Sequence, residues 1–169
     1  MADPAEVRGM LIDTEVGTDV DSRIGNRLEF QWTPSEVRNS VRINWSNQEI
    51  PGRSHPIMQY SSTGQQTWSL SLLFDGDATD PTFVADRARW IKSLCYPQYK
   101  DRRGQLQRPP HVCLLVYGQW LNVKVVVTAY EATYGPLYMP DTLYPLNGKI
   151  DVELTEFVRQ GIDYRRVRR

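Results

Sequence analysis

At 169 residues the chain has the length of one domain able to bury a sizeable core. Its 20 Lys and Arg balance 20 Asp and Glu, which excludes nucleic-acid binding driven by global charge and leaves only a local patch open. No apolar run approaches the ~20 residues of a bilayer span, and the alternately acidic and basic first ten residues lack the apolar stretch of a signal peptide. A chain made in a cytoplasm, with no membrane insertion, is expected.

Residues 1–26 read as an N-terminal arm, in which Met10, Leu11 and Ile12 with Val16 and Val20 suit either a short strand or a segment laid on a neighbour. In residues 27–32 Leu28, Phe30 and Trp32 alternate as in a strand, and Thr33-Pro34 stops it. Val41, Ile43 and Trp45 alternate within a second strand, residues 38–46, followed by a loop at 48–56 marked by Pro51, Gly52 and Pro56. The third strand, 66–74, puts Trp68, Leu70, Leu72 and Phe74 on one face with Ser69 and Ser71 on the other.

Asp75-Gly76-Asp77 ends that strand, and Asp80-Pro81 opens a helix at about 82–95, with Asp80 as the expected cap. Phe83, Val84, Ala88, Trp90, Ile91, Leu94 and Cys95 form its apolar stripe, and Tyr96-Pro97 ends it. Residues 100–107 are a solvated loop. Pro109-Pro110 forces an extended approach to a hairpin of 111–117 and the alternating Leu121, Val123, Val125, Val127 and Ala129, turning at Gly118-Gln119. A Pro- and Gly-rich loop covers 135–145, and Ile150, Val152 and Leu154 alternate in a last strand. Residues 159–169 form an Arg-rich tail. The class expected is mainly β, a small antiparallel β-barrel or a two-sheet sandwich over residues 27–158 with one flanking helix. The expected core is Trp68, Leu70, Leu72, Phe74, Trp90, Ile91, Leu94, Val123, Val125, Val127, Ile150, Val152 and Leu154.

No set of residues spells out a catalytic or metal site. Asp75, Asp77 and Asp80 lack the ligand spacing of a calcium loop and suit a turn and helix cap better. His55 and His111 have no further zinc ligands at close spacing. His111 and Cys113 would share a strand face, but Val-Cys-Leu-Leu-Val surrounds the thiol with apolar groups that keep it inert. Cys95 and Cys113 read as buried thiols of a reducing compartment. Glu131, Asp151, Glu153 and Glu156 are what an exposed sheet face carries. No cofactor is expected, and no catalysis.

Certain segments, in order, resemble a known family. They are Phe30-Gln-Trp-Thr-Pro34-Ser35, Trp45, Trp68-Ser-Leu-Ser-Leu-Leu-Phe74, Trp90-Ile-Lys-Ser-Leu-Cys-Tyr-Pro97, Arg108-Pro-Pro110, Gly118 and Val152-Glu-Leu-Thr-Glu-Phe157. Together they resemble the tube-like baseplate domain of contractile injection systems and contractile-tailed phages, over roughly residues 28–158. The resemblance implies a structural protein of the virion, a tail tube initiator: a β-barrel with a flanking helix, assembled as a homo-hexameric ring around a channel. The ring connects the spike hub to the tail tube among other baseplate proteins, and DNA at most passes through. The LysM module common in that family is not expected, since the sequence ends about ten residues after the last strand.

Subunit contacts are expected at extended segments. Leu137, Tyr138, Met139, Leu143 and Tyr144 lie in a loop too rich in proline to be a central strand, with no period that directs them into a core. Arg159, Arg165, Arg166, Arg168 and Arg169 belong to a tail that reads equally as a frayed end or as an arm for an acidic patch of a neighbour. The alternative function is a free-standing β-barrel binding module for a small ligand or peptide.

Overall fold

A computed structural model describes residues 9–14, 24–99 and 106–158. The fold is mainly β with one helix. In chain order it runs β1 (Met10–Asp13), β2 (Arg27–Glu29), β3 (Val37–Gln48), β4 (Ile57–Asp75), α1 (Phe83–Ser93), β5 (Gln98–Tyr99), β6 (Leu106–Arg108), β7 (Cys113–Tyr117), β8 (Leu121–Tyr134) and β9 (Asn147–Glu156). Seven strands make a single antiparallel sheet in the order β2-β1-β7-β8-β9-β4-β3, and β5 pairs only with β6.

The sheet is open, which corrects the expectation of a barrel or a sandwich. Its edge strands, β2 and β3, do not pair with each other. A side chain joins its two sides instead. Just past β2, Gln31 donates through Nε2 to the Asp75 carbonyl at 2.7 Å and accepts from the Asp75 N–H at 2.8 Å. The amide thus imitates one bridge of a ladder at the end of β4. The barrel in which the alternative function placed its ligand is therefore not closed.

Met10–Asp13, for which the sequence left a short strand or a segment on a neighbour open, is β1 and lies inside the sheet between β2 and β7. Its Leu11 joins Leu28, Phe30, Leu115 and Leu121 in the same core cluster as the expected residues of β4, β8, β9 and the helix. Of the expected core, only Val123 is partly rather than fully buried. The period-2 pattern of β4 turns Trp68, Leu70, Leu72 and Phe74 inward opposite Leu154, Val152, Ile150 and Gly148 of β9.

Helix α1 covers this face, packing on β4, β8 and β9 with Val84, Ala88, Trp90 and Ile91 buried. Gly148 permits the approach, since a Cβ there would lie 2.8 Å from Val84 Cγ1. Trp90 also donates through Nε1 to the Gly25 carbonyl at 2.9 Å and so ties the helix to the turn before β2. The helix start differs from expectation: Thr82 is the N-cap residue and makes no side-chain cap bond. Asp80 instead receives the Thr82 hydroxyl, and Asp77 Oδ1 accepts the N–H groups of Thr79 and Asp80. The acids organise the turn ahead of the helix because two residues, Pro81 and Thr82, separate Asp80 from the first helical amide.

Trp90→Ala is expected to lower stability by about 3–5 kcal/mol, the usual cost of emptying a large aromatic site. Trp90→Phe, which keeps most of the bulk and loses the bond to Gly25, should cost on the order of 1 kcal/mol. Chemical denaturation of the three proteins checks this, and an unchanged midpoint for Trp90→Ala would mean that the helix is not packed as described.

Candidate assembly surface

Strands β3 and β4 continue together well past the end of β9, whose ladder with β4 stops at Thr67 opposite Thr155. From there Val41–Gln48 pairs with Ile57–Gln66 as a two-stranded ribbon, with no third strand beside it among the described residues. Ile50-Pro51-Gly52-Arg53 closes its tip: Arg53 N–H donates to the Ile50 carbonyl at 3.1 Å and Gly52 takes φ +88°. Proline followed by glycine at positive φ is the chemistry of a type II turn. Two irregularities interrupt the ladder, one between Val41 and Ile43 and one between Asn44 and Trp45. In both, β4 carries the extra residue: Gly64 and Gln65 face Arg42 alone, and Ser61 has no opposite number. Such bulges bend a ribbon and increase its twist.

The two faces of this arm differ. Strand alternation puts Val41, Ile43 and Trp45 on the side of Val37, which packs against the core. Their partners across the ribbon include Tyr60, opposite Trp45, and Met58, opposite Asn47. The rings of Trp45 and Tyr60 meet edge to face with centroids 5.6 Å apart. The apolar face of the arm therefore continues the core face of the sheet, yet the described residues leave much of it exposed. Val41, Ile43, Trp45, Met58 and Tyr60 are 41% to 62% exposed. The other face holds Arg38, Ser40, Arg42, Asn44 and Ser46, with Asn44 donating to Ser62 Oγ at 3.1 Å.

At the same end of the sheet the β7–β8 turn presents Trp120, 65% exposed, edge-on to Tyr117 at 5.9 Å and tilted against Trp68 at 6.4 Å. Neither Trp120 nor residues 57–65 of the arm was singled out on sequence. The serines, Thr63, Gly64 and the glutamines of 57–66 hide the strand, and its bulges break the alternation that would have disclosed it.

The loop singled out on sequence lies at the opposite end, between β8 and β9. Backbone bonds fold it tightly: Met139 N–H to Tyr144 O at 2.9 Å, Leu143 N–H to Met139 O at 3.0 Å and Leu146 N–H to Leu137 O at 2.9 Å. Leu143 takes φ +56°, unusual for a branched residue, and its side chain is 75% exposed. Leu137, Tyr138 and Tyr134 of β8 are also exposed, whereas Met139 and Tyr144 are half-buried. Leu137, Tyr138 and Leu143 are thus the exposed apolar residues of this loop. Arg159, Arg165, Arg166, Arg168 and Arg169 lie outside the described residues.

The remaining polar groups serve the fold. His111 precedes β7, and its Nδ1 sits 2.6 Å from Oδ2 of the buried Asp13 of β1, while Cys113 is fully buried. The Cys113 thiol faces the His111 backbone carbonyl at 3.9 Å. On the sheet face opposite α1, Ser71 donates to Asp151, which also pairs with Lys149 at 2.9 Å. The Ser71 hydroxyl, with help from Lys149, holds the Asp151 carboxyl below the usual range. A group shifted down in this way adds stability above its unfolded pKa and loses it as pH falls through the folded value. Ser71→Ala is expected to move the Asp151 carboxyl titration up towards an ordinary aspartate and to lower stability at neutral pH more than in acid. Carboxyl NMR titration and pH-dependent melts read both. An unmoved Asp151 titration would remove the role given to Ser71.

Residues 8–163 match the family model described as contractile injection system tube protein. Comparison with curated proteins finds no match to the chain. The family match spans nearly the whole chain and takes in every strand and the helix described above. An open sheet with one helix among the described residues, with exposed apolar surface at both ends, accompanies this match. The chain belongs to the contractile injection system tube proteins.

Proposed function

We propose that the chain is a ring-forming structural subunit of a contractile tail, six copies enclosing a channel in the baseplate between the spike hub and the tail tube. The particle is a phage or a phage-like injection system, assembled from chains made in the host cytoplasm. The subunit does no chemistry. It supplies shape, contacts and a passage.

The observation that carries this reading is the β3–β4 arm, which extends the core face of the sheet into water without a core of its own. Covering apolar surface is worth about 25 cal/mol per Å², and the described residues leave much of it uncovered there. Aromatic residues and methionine are the groups that interface centres favour. Trp45, Tyr60, Met58 and Trp120 fit that description, as do Leu137, Tyr138 and Leu143 at the other end. The Arg-rich residues 159–169 would add registry and steering by charge more than affinity, lying on a neighbouring chain.

Trp45→Ser combined with Tyr60→Ser should abolish incorporation into particles while the isolated protein melts within about 0.5 kcal/mol of the parent, as for other exposed sites. Tyr138→Ser with Tyr144→Ser, and charge reversal of Arg165 and Arg166, should also reduce incorporation. Incorporation is read by quantifying the chain in sedimented particles, and normal assembly of all three variants would refute the reading. So would a particle reconstruction that placed the chain off the central axis.

A further inference from the structure

Away from the arm and the loop, a half-buried cation lies in a cleft without an ion-pair partner among the described residues. Arg87 of α1 lines this cleft of about 780 Å³, between the start of the helix and the edge strand β2, and its apolar walls are Ile12, Ile24, Leu28 and Phe83. The guanidinium carbon of Arg87 lies 3.3 Å from the centre of the Phe83 ring, and Nη1 donates to the Phe83 carbonyl at 3.2 Å. Nε is buried and has no hydrogen-bond partner among the described residues. Most buried donors of folded proteins are satisfied, because leaving one unmade costs its full desolvation. We propose that the cleft takes a carboxylate carried between apolar groups, with the Arg87 guanidinium as its anchor.

The acids of the cleft are engaged elsewhere. Glu29 pairs with Arg27 at 2.8 Å, Asp86 with Arg89 at 3.6 Å, and Asp80 accepts the Thr82 hydroxyl at 3.1 Å. Burial is the largest influence on Arg87 and pulls its guanidinium below the ordinary value, while Asp80 and Asp86 oppose this from beyond ion-pair distance. Glu29, Asp80 and Asp86 thus face Arg27, Arg87 and Arg89, so an entering anion meets no net negative charge.

The chemistry selects a carboxylate. A planar guanidinium fork matches its two oxygens through parallel N–H···O bonds, which a single amide oxygen does not offer. Stacking on Phe83 and the bond to its carbonyl hold the plane in place, so little side-chain freedom is left to lose on binding. The low-dielectric surroundings strengthen each charge-assisted bond that forms. Phosphate is the poorer fit. It carries up to twice the charge towards three acids, and the apolar walls offer its outer oxygens no donors. Those walls suit aliphatic groups on either side of an acid instead.

The Arg87 Nε–H signal in nitrogen-edited NMR of the full chain, assigned through bonds from its own backbone, reports on the cleft. An end-capped Leu-Glu-Leu peptide at millimolar concentration should move it saturably, and the Leu-Gln-Leu counterpart should leave it in place. Leu-Gly-Leu with a free C-terminal carboxylate separates the two sources of the group: movement by either acid supports the site and says whether a side chain or a chain end supplies it. Equal movement by the Gln peptide, or none by either carboxylate peptide, would overturn the proposal. Displacement of Leu-Glu-Leu by equimolar inorganic phosphate would do the same. Arg87→Lys keeps the charge and loses the fork, so it should bind Leu-Glu-Leu at least about tenfold more weakly by calorimetry, and unchanged binding would count against the anchor. The Glu and Gln comparison uses the parent chain alone and decides the matter if Arg87→Lys fails to fold. The ring-subunit reading stands or falls separately, by incorporation into particles.

Discussion

The structure depends on β4, one strand given two different jobs along its length. Its second half, from Trp68 to Phe74, is the middle of the core: β9 flanks it, α1 packs on it, and the β3 ladder borders its other side. Its first half, from Ile57, keeps the same backbone pairing with β3 and loses everything else. Since hydrogen bonds of a ladder hold the two strands together but contribute little net free energy in water, the arm owes its place to the core at its base. Movement of Trp68 or Leu70 would therefore be felt along the arm, and that makes the hydrophobic core the scaffold of the assembly surface as well as of the domain.

Much of this was legible in the sequence because the core elements obey simple periods. Trp68-Ser-Leu-Ser-Leu-Leu-Phe74 has one face apolar and one polar, and the stripe from Phe83 to Cys95 fits no strand. The hairpin around Gly118 was equally plain. What could not be read was closure. Whether seven strands close or stay open depends on the twist between neighbours and on contacts such as Gln31 with Asp75, which no local pattern encodes. The arm was half-read for a different reason. In β3 the alternation of Val41, Ile43 and Trp45 marks a strand with one apolar face. A partner-facing strand has the same period as a core-facing one, because both bury one face. The difference is only whose atoms do the covering.

The same distinction applies to the loop. Leu137, Tyr138 and Leu143 were singled out because no period placed them, and their exposure is consistent with that. Met139 and Tyr144 are partly drawn in by the backbone bond between them. Trp120, beside the Gly118-Gln119 reversal, was not singled out on sequence, while in space it extends the aromatic group of Tyr117 and Trp68. Aromatic residues beside glycine turns are thus ambiguous on sequence, and only their neighbours in three dimensions decide between spacer and contact.

The polar face completes the logic. Lys149 pairs with Asp151, Arg38 pairs with Glu36 at 2.9 Å, and Ser71 bonds to Asp151, so much of its charge is answered locally within the chain. Such exposed pairs contribute little to stability, but they leave that face content with water and without demand for a partner. Apolar surface without a core lies instead on the arm and the loop, at the two ends of the sheet. A domain so divided has one face packed as its core, one polar face and exposed apolar residues at both ends. An assembly that extends through those ends can leave the solvated face bordering water, and this is compatible with a ring enclosing a passage.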